Sequence, residues 1–158
     1  MNKNTNVINF KTSAKIIEKK RFLDSYLGTK LFQLNTNQEE VLTEKFKKNF
    51  YEFFNKLNLN KYDAIIVFDY GHGLISKKII TKLNKYKNKT YINCQSNSFN
   101  FGYNLISKYN SAKTISMDES EFRLLAQDKF SKIRTLIDNN KNLFRNFQNT
   151  IITMGKFG

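Results

Sequence analysis

The stretch Asp63-Ala-Ile-Ile-Val-Phe-Asp-Tyr-Gly-His-Gly-Leu-Ile-Ser76 decides how the rest of the chain is read. From Ile65 to Phe68 it is an unbroken apolar run of β-branched and aromatic residues, closed by the carboxylate of Asp69. A run without polar alternation fits a strand covered on both faces, as in a parallel sheet. Two glycines, Gly71 and Gly73, then flank His72, and Ser76 is a good N-cap for a helix to about Tyr86 with Ile79, Ile80 and Leu83 facing inward. Strand, glycine loop and helix together make the first half of a βαβ unit.

Downstream the same unit recurs. Thr90 to Cys94 (TYINC) reads as a strand, followed by an amide-rich loop and a short helix around Asn104 to Lys108. Ala112 to Met117 (AKTISM) is the next strand, and DESEFRLLAQD opens a helix whose first turn holds acids, where the helix dipole favours them. A further helix covers about Ser131 to Asn139, and Asn149 to Met154 (NTIITM) is the last strand. Strands alternating with helices predict an α/β fold with a mostly parallel, doubly wound sheet.

Upstream the pattern changes. Lys15 to Leu23 and Lys30 to Asn35 read as two strands joined by a turn near Gly28, a hairpin beside the main sheet or at its edge. Between Gln38 and Leu59, Val41, Leu42, Phe46, Phe50, Phe53, Phe54 and Leu57 recur at spacings of three and four, which predicts a long amphipathic helix. Residues 1–14 read as irregular or disordered, and 15–158 as one domain, for which 158 residues suffice.

Composition narrows the function classes. No run of 18 or more apolar residues occurs and the first residues lack the apolar core of a secretory signal, so the expected place is the cytoplasm, with no membrane partner. One cysteine, Cys94, and one histidine, His72, make neither an internal disulfide nor a zinc site. The net charge of +14 raises nucleic-acid binding. The charge is almost all lysine, though, dispersed among Asn, Ile, Phe and Tyr without proline or tryptophan, which is what A/T-rich codon usage produces. A non-catalytic basic α/β module contacting nucleic acid is therefore the alternative, not the first reading.

In an open parallel sheet, ligands bind beyond the carboxyl ends of the strands, so four loops carry the functional information. Asp69, Tyr70, Gly71, His72 and Gly73 form the first, either a ligand-approaching glycine loop or a tight turn capped by Asp69. The second runs from Asn93 to Asn104, where side-chain amides such as Asn93 and Gln95 suit sugar hydroxyls or simply a loop. The third is Asp118-Glu119-Ser120-Glu121. Asp118 and Glu121, three apart, could orient a metal-bound water near phosphates, form a capping box, or do both. The fourth is Thr153-Met154-Gly155-Lys156-Phe157-Gly158, whose glycine-freed amides and threonine hydroxyl suit a phosphate.

In this order, the pieces resemble the central part of a PfkB (ribokinase-family) carbohydrate kinase, closest to the heptose-kinase branch in which the kinase is fused to a nucleotidyltransferase. KKRFLDSYLGTKLFQLN resembles that branch's strand pair, and YDAIIVFDYGHGLIS its Asp-Tyr-x-Lys-Gly segment. DESEFRLL resembles the family's Asn-x-x-Glu helix start, and IITMGKFG its Thr-x-Gly-x-x-Gly turn. The resemblance implies a ribokinase-like three-layer αβα fold, with the hairpin as a lid or as a homodimer contact in the full-length protein. It also implies transfer of the γ-phosphate of ATP, with Mg²⁺, to a hydroxyl of a sugar or sugar phosphate, a heptose phosphate being one candidate. ATP would lie against Asp118, Glu119, Ser120, Glu121 and Thr153, Met154, Gly155, Lys156, Phe157 and Gly158, with Glu121 acting on the metal through water. Asp69, Tyr70, Gly71, His72, Gly73, Asn93 and Gln95 would line the sugar side.

The chain departs from the family pattern in places. His72 stands where the branch has lysine, Asp118 where most members have asparagine, and Asn93-Cys94-Gln95 where Asp-Pro-Lys is common. The family's Gly-Ala-Gly-Asp segment, which carries the general base, and its glycine-rich N-terminal strands are not in the sequence. The resemblance therefore implies a partial kinase domain whose base lies beyond Gly158 and which is inactive alone.

Overall fold

A computed structural model describes residues 5–12, 15–36, 42–97 and 100–155. The chain divides into two units, residues 1–50 and 51–158. In the first, β1 (Glu18–Leu23) and β2 (Lys30–Thr36) pair antiparallel as a two-stranded sheet of their own. Asp24 shapes the turn between them, its Oδ1 accepting from the amides of Tyr26 and Leu27 at 3.0 and 2.6 Å. Gly28 completes the turn at φ +63°, in the left-handed region that glycine enters without strain. Cross-strand partners Phe22 and Phe32 stack with centroids 4.3 Å apart. Residues 5–12 carry no helix or strand.

The periodicity predicts a helix over 38–59, whereas α1 spans Glu44–Lys56. Residues 38–41 lie outside the described residues. The start is set by Thr43, whose Oγ1 accepts from the Phe46 amide while its carbonyl accepts from Lys47, an N-cap the apolar spacing does not reveal. The apolar stripe keeps the predicted register, with Phe46, Phe50, Phe53, Phe54 and Leu57 all half-buried and none fully buried. At the other end, Lys82 Nζ donates to the carbonyls of Phe54, Asn55 and Leu57 at 2.6, 2.7 and 2.9 Å. An ammonium there satisfies carbonyls that a helix end leaves without partners and meets the negative end of the dipole.

Unit 51–158 is built on a four-stranded parallel sheet in the order β3 (Ile65–Asp69), β4 (Thr90–Cys94), β5 (Ala112–Asp118), β6 (Phe147–Thr153). α2 (Lys77–Asn84) connects β3 to β4, while α3 (Glu119–Ala126) and α4 (Ile133–Asn139) connect β5 to β6. Between β4 and β5 the helix predicted around 104–108 is a single 3₁₀ turn, Ile106–Lys108. Leu105 before it is extended and Tyr109 after it returns to extended backbone, so no second turn can form.

The strands are laid down in one direction, and right-handed crossovers then place every connection on the same side. Burial follows that rule. Val67, Ile92, Ile115 and Met117 are buried and form the core with Ile79, Ile80 and Leu83 of α2, Phe122 of α3 and Leu136 of α4. Each contributes about 1.5–3 kcal/mol of transfer free energy. The opposite face is open: Ile66 and Phe68, which the apolar run predicts to be covered, are 65% and 63% exposed, and Ile151 is 51% exposed. The reversal of strand order that makes a sheet doubly wound, and so covers its second face, is not found among the described strands. No helix of the described residues is long and apolar enough to cross a membrane.

Candidate functional site

Because β3 to β6 are parallel, their four carboxyl ends meet at one edge of the sheet. Asp69 pairs with Cys94, and Asp118 with Thr153. This edge brings together the sequence-predicted segments Asp69–Gly73, Asn93–Gln95, Asp118–Glu121 and Thr153–Gly155. Lys156, Phe157 and Gly158 lie outside the described residues.

The β3–β4 half of this mouth is closed by its own side chains. Asp69 is only 4% exposed, and its carboxylate accepts from Tyr109 Oη at 2.6 Å and the Gly71 amide at 3.0 Å and pairs with Lys108 Nζ. Burial, then the hydrogen bond to Asp69, push the Tyr109 phenol well above its usual pKa. The amide-rich loop is consumed in the same closure. Asn104 Nδ2 donates to the Asp69 and Gln95 carbonyls at 3.1 and 2.9 Å, and Asn100 Nδ2 to those of Tyr70 and Gly71 at 3.2 and 3.1 Å. Asn97 Nδ2 reaches Tyr70 O at 2.8 Å.

Gly71, at φ +74°, is glycine for a reason other than ligand approach: a Cβ there would stand 1.9 Å from Asn100 Nδ2 and 2.8 Å from Asn104 Cβ. The backbone is approached closely, but by the neighbouring loop. Cys94, 1% exposed, has its thiol pushed up to about 12 by burial and by the Asp69 charge, which keeps it protonated and unreactive. Asn93 donates from Nδ2 to Ser116 Oγ at 2.9 Å on the open face of the sheet, His72 is half-buried, and Tyr70, Gly73 and Gln95 are exposed.

Glu121 joins the two halves. It is 6% exposed, and its Oε1 accepts from the Ser96 amide at 2.6 Å while Oε2 accepts from the Asp118 amide at 2.9 Å. Asp118 Oδ1 returns the bond from the Glu121 amide at 2.8 Å, so the capping box is complete. Burial raises the Glu121 pKa, and the two backbone amides oppose that rise. With both oxygens holding backbone, Glu121 braces the β4 loop against α3 and presents no open face to a metal.

The β5–β6 half is open by contrast. Asp118 and Thr153, adjacent in register, are both exposed, as are Ser120 and Gly155. Ser120 Oγ donates to Asp118 Oδ1 at 2.6 Å, and Arg123 holds Glu119 Oε1 at 2.7 Å. Gly155 sits at φ +58° with nothing among the described residues within 4 Å of where a Cβ would be, which leaves an anion room to approach that side of its backbone. Among the described residues no group of three or more His, Cys, Asp or Glu could hold a metal ion, so a cation here would take its ligands from a bound phosphate and water, with Asp118 alongside.

Asn100, Asn104, Lys108 and Tyr109 form the closure, and only the density of amides between 93 and 104 signals any of it in the sequence. Lys108 and Tyr109 reach Asp69 from about 40 residues further along the chain. No local pattern encodes that. No protein-family model and no curated protein matches the chain.

Proposed function

We propose that the chain is part of an ATP-dependent carbohydrate kinase of the PfkB type, with a ribokinase-like, doubly wound three-layer architecture, working in the cytoplasm on a sugar or sugar phosphate such as a heptose phosphate. In this reading the β5–β6 half is the nucleotide side. What supports it is one observation: Asp118, Ser120, Thr153 and Gly155 meet at the carboxyl edge of a parallel sheet, exposed and with no described residue over the glycine's Cβ side. An exposed threonine hydroxyl and a glycine backbone suit ATP phosphates, and Asp118 suits the hydration shell of the Mg²⁺ they carry. The bound Mg·ATP supplies the transferable phosphoryl group and the charge neutralisation.

The residues of the chain bind and orient. Asp69 is committed to Tyr109, Lys108 and Gly71, Glu121 to two backbone amides and Glu119 to Arg123, so none of them is poised to take a sugar proton. Tyr70, His72, Gly73 and Gln95 present the sugar-side surface, and the β1–β2 hairpin serves as a lid or as a contact between two copies. Titration calorimetry tests the reading. The 158-residue chain should bind ATP only with Mg²⁺ present, lose about tenfold in affinity on Asp118→Ala, and transfer no phosphate to a heptose phosphate. Absence of Mg·ATP binding, or binding indifferent to Asp118, overturns it.

A further inference from the structure

In the sequence the lysines are dispersed among Asn, Ile, Phe and Tyr, and the net charge alone does not mark a nucleic-acid surface. Folding changes that in one place. A cleft of about 270 Å³ between the end of α1 and α2 is lined by Lys78, Lys82 and Lys85 together with Tyr51, Tyr86 and Asn55, and no carboxylate of the described residues lines it. The lysines fall at i, i+4 and i+7, on one face of α2 and its cap. Tyr51 comes from a different helix, and the Lys78 ammonium lies 5.6 Å from its ring centroid.

The lysines differ in what they already do. Lys82 caps three carbonyls of the α1 end and is fixed. Burial and the neighbouring Lys85 charge push its ammonium below the usual value, as expected where cations crowd. Lys78 and Lys85 make no ion pair among the described residues. Their stems start about 10 Å apart along the helix axis and are flexible enough to settle on neighbouring phosphates of a chain.

We propose that this cleft is a contact site for single-stranded nucleic acid, with Lys78 and Lys85 on successive phosphates and a base against Tyr51 or Tyr86. Size argues for a strand over a free small molecule. At about 270 Å³ the cleft is below the roughly 300–1,000 Å³ of enclosed ligand pockets, enough for one unit of a strand lying across it. Lysines beside aromatic rings are the pattern of sequence-tolerant strand binding, in which charge holds the backbone and rings stack bases. The proposal does not depend on the kinase reading, since the cleft lies on the helical side of the sheet and uses none of the residues at the mouth.

Fluorescence anisotropy of the whole chain with a labelled oligothymidylate of roughly 12 nucleotides tests it. Lys78→Gln/Lys85→Gln should weaken binding about tenfold and reduce the slope of log affinity against log salt by about 1.4, the share of two phosphates on a single strand. Lys129→Gln/Lys132→Gln changes the net charge equally and should leave the slope nearly unaltered. Tyr86→Leu should weaken binding at least about fivefold without changing the slope. Lys82 is left intact, so α1 keeps its cap, and Mg·ATP affinity should be the same in all these variants. No binding by the unaltered chain, or equal losses in the two double variants, overturns the proposal.

Discussion

At one edge of the same sheet, the β3–β4 half and the β5–β6 half are built in opposite ways. In the first, a carboxylate, two asparagine side chains and a glycine are locked together: Asp69 is 4% exposed, and Asn100 and Asn104 are buried. In the second, Asp118, Thr153 and Gly155 are exposed and no described residue stands over the glycine. Both halves set an aspartate at a strand end near a positive-φ glycine, so that pairing alone does not mark a binding loop. What distinguishes them is whether the polar groups find partners within the chain, because a buried polar group left without one costs about 1–3 kcal/mol. The closed half supplies rigidity, and the open half has groups to offer a ligand.

The sharpest way to break this contrast is to put the same substitution at a glycine in each half. Gly71→Ala forces a Cβ to within 1.9 Å of Asn100 Nδ2 at a positive φ and should cost about 3 kcal/mol or more in urea unfolding, since the two loops must separate. A loss below about 1 kcal/mol would mean that the closure yields easily.

Glu121→Gln probes the brace between the halves. A glutamine keeps one acceptor but turns a donor toward a backbone amide, and should cost about 2 kcal/mol. Its pH dependence is a second readout. A carboxyl whose folded pKa lies above the unfolded 4.5 binds its proton more readily in the folded state. The unaltered chain therefore loses stability as pH rises from about 4.5 toward the folded value, and nothing more above it. The variant should lack that slope. An unchanged slope would assign the titration elsewhere.

Smaller effects belong to the open half. Asp118→Ala removes a helix cap and should cost about 1 kcal/mol of stability while also weakening Mg·ATP. Gly155→Ala meets only the left-handed backbone penalty, partly offset by a less flexible unfolded chain, so roughly 0.5–1 kcal/mol is expected by the same unfolding assay. If Gly155→Ala proved as damaging as Gly71→Ala, the two halves would not differ as described.

The sequence revealed what is local. TYINC is β4 residue for residue, and DESE is a complete capping box, because strand pattern and cap chemistry are set within a few neighbours. Thr43 as the start of α1 was hidden behind an apolar periodicity that continues upstream of the cap. Ile66 and Phe68 could not be read as exposed, since an apolar run reports suitability for burial and the strand order decides which face is covered. At the site, the capping half of the Asp118–Glu121 alternatives was legible. The fate of Asp69 was not, because Tyr109 and Lys108 arrive from the far side of β4. Nor was the gathering of Lys78, Lys85 and Tyr51, which needs residues 51–57 brought beside α2.

If the open half takes the nucleotide as proposed, Mg·ATP leaves the closed half and its sugar-side surface unchanged. Amide hydrogen exchange of the chain with and without Mg·ATP measures both at once. The account predicts that protection rises at 118–121 and 153–155 while 69–73 and 93–97 stay as they were. Protection gained at 69–73 instead, or at neither half, would contradict it.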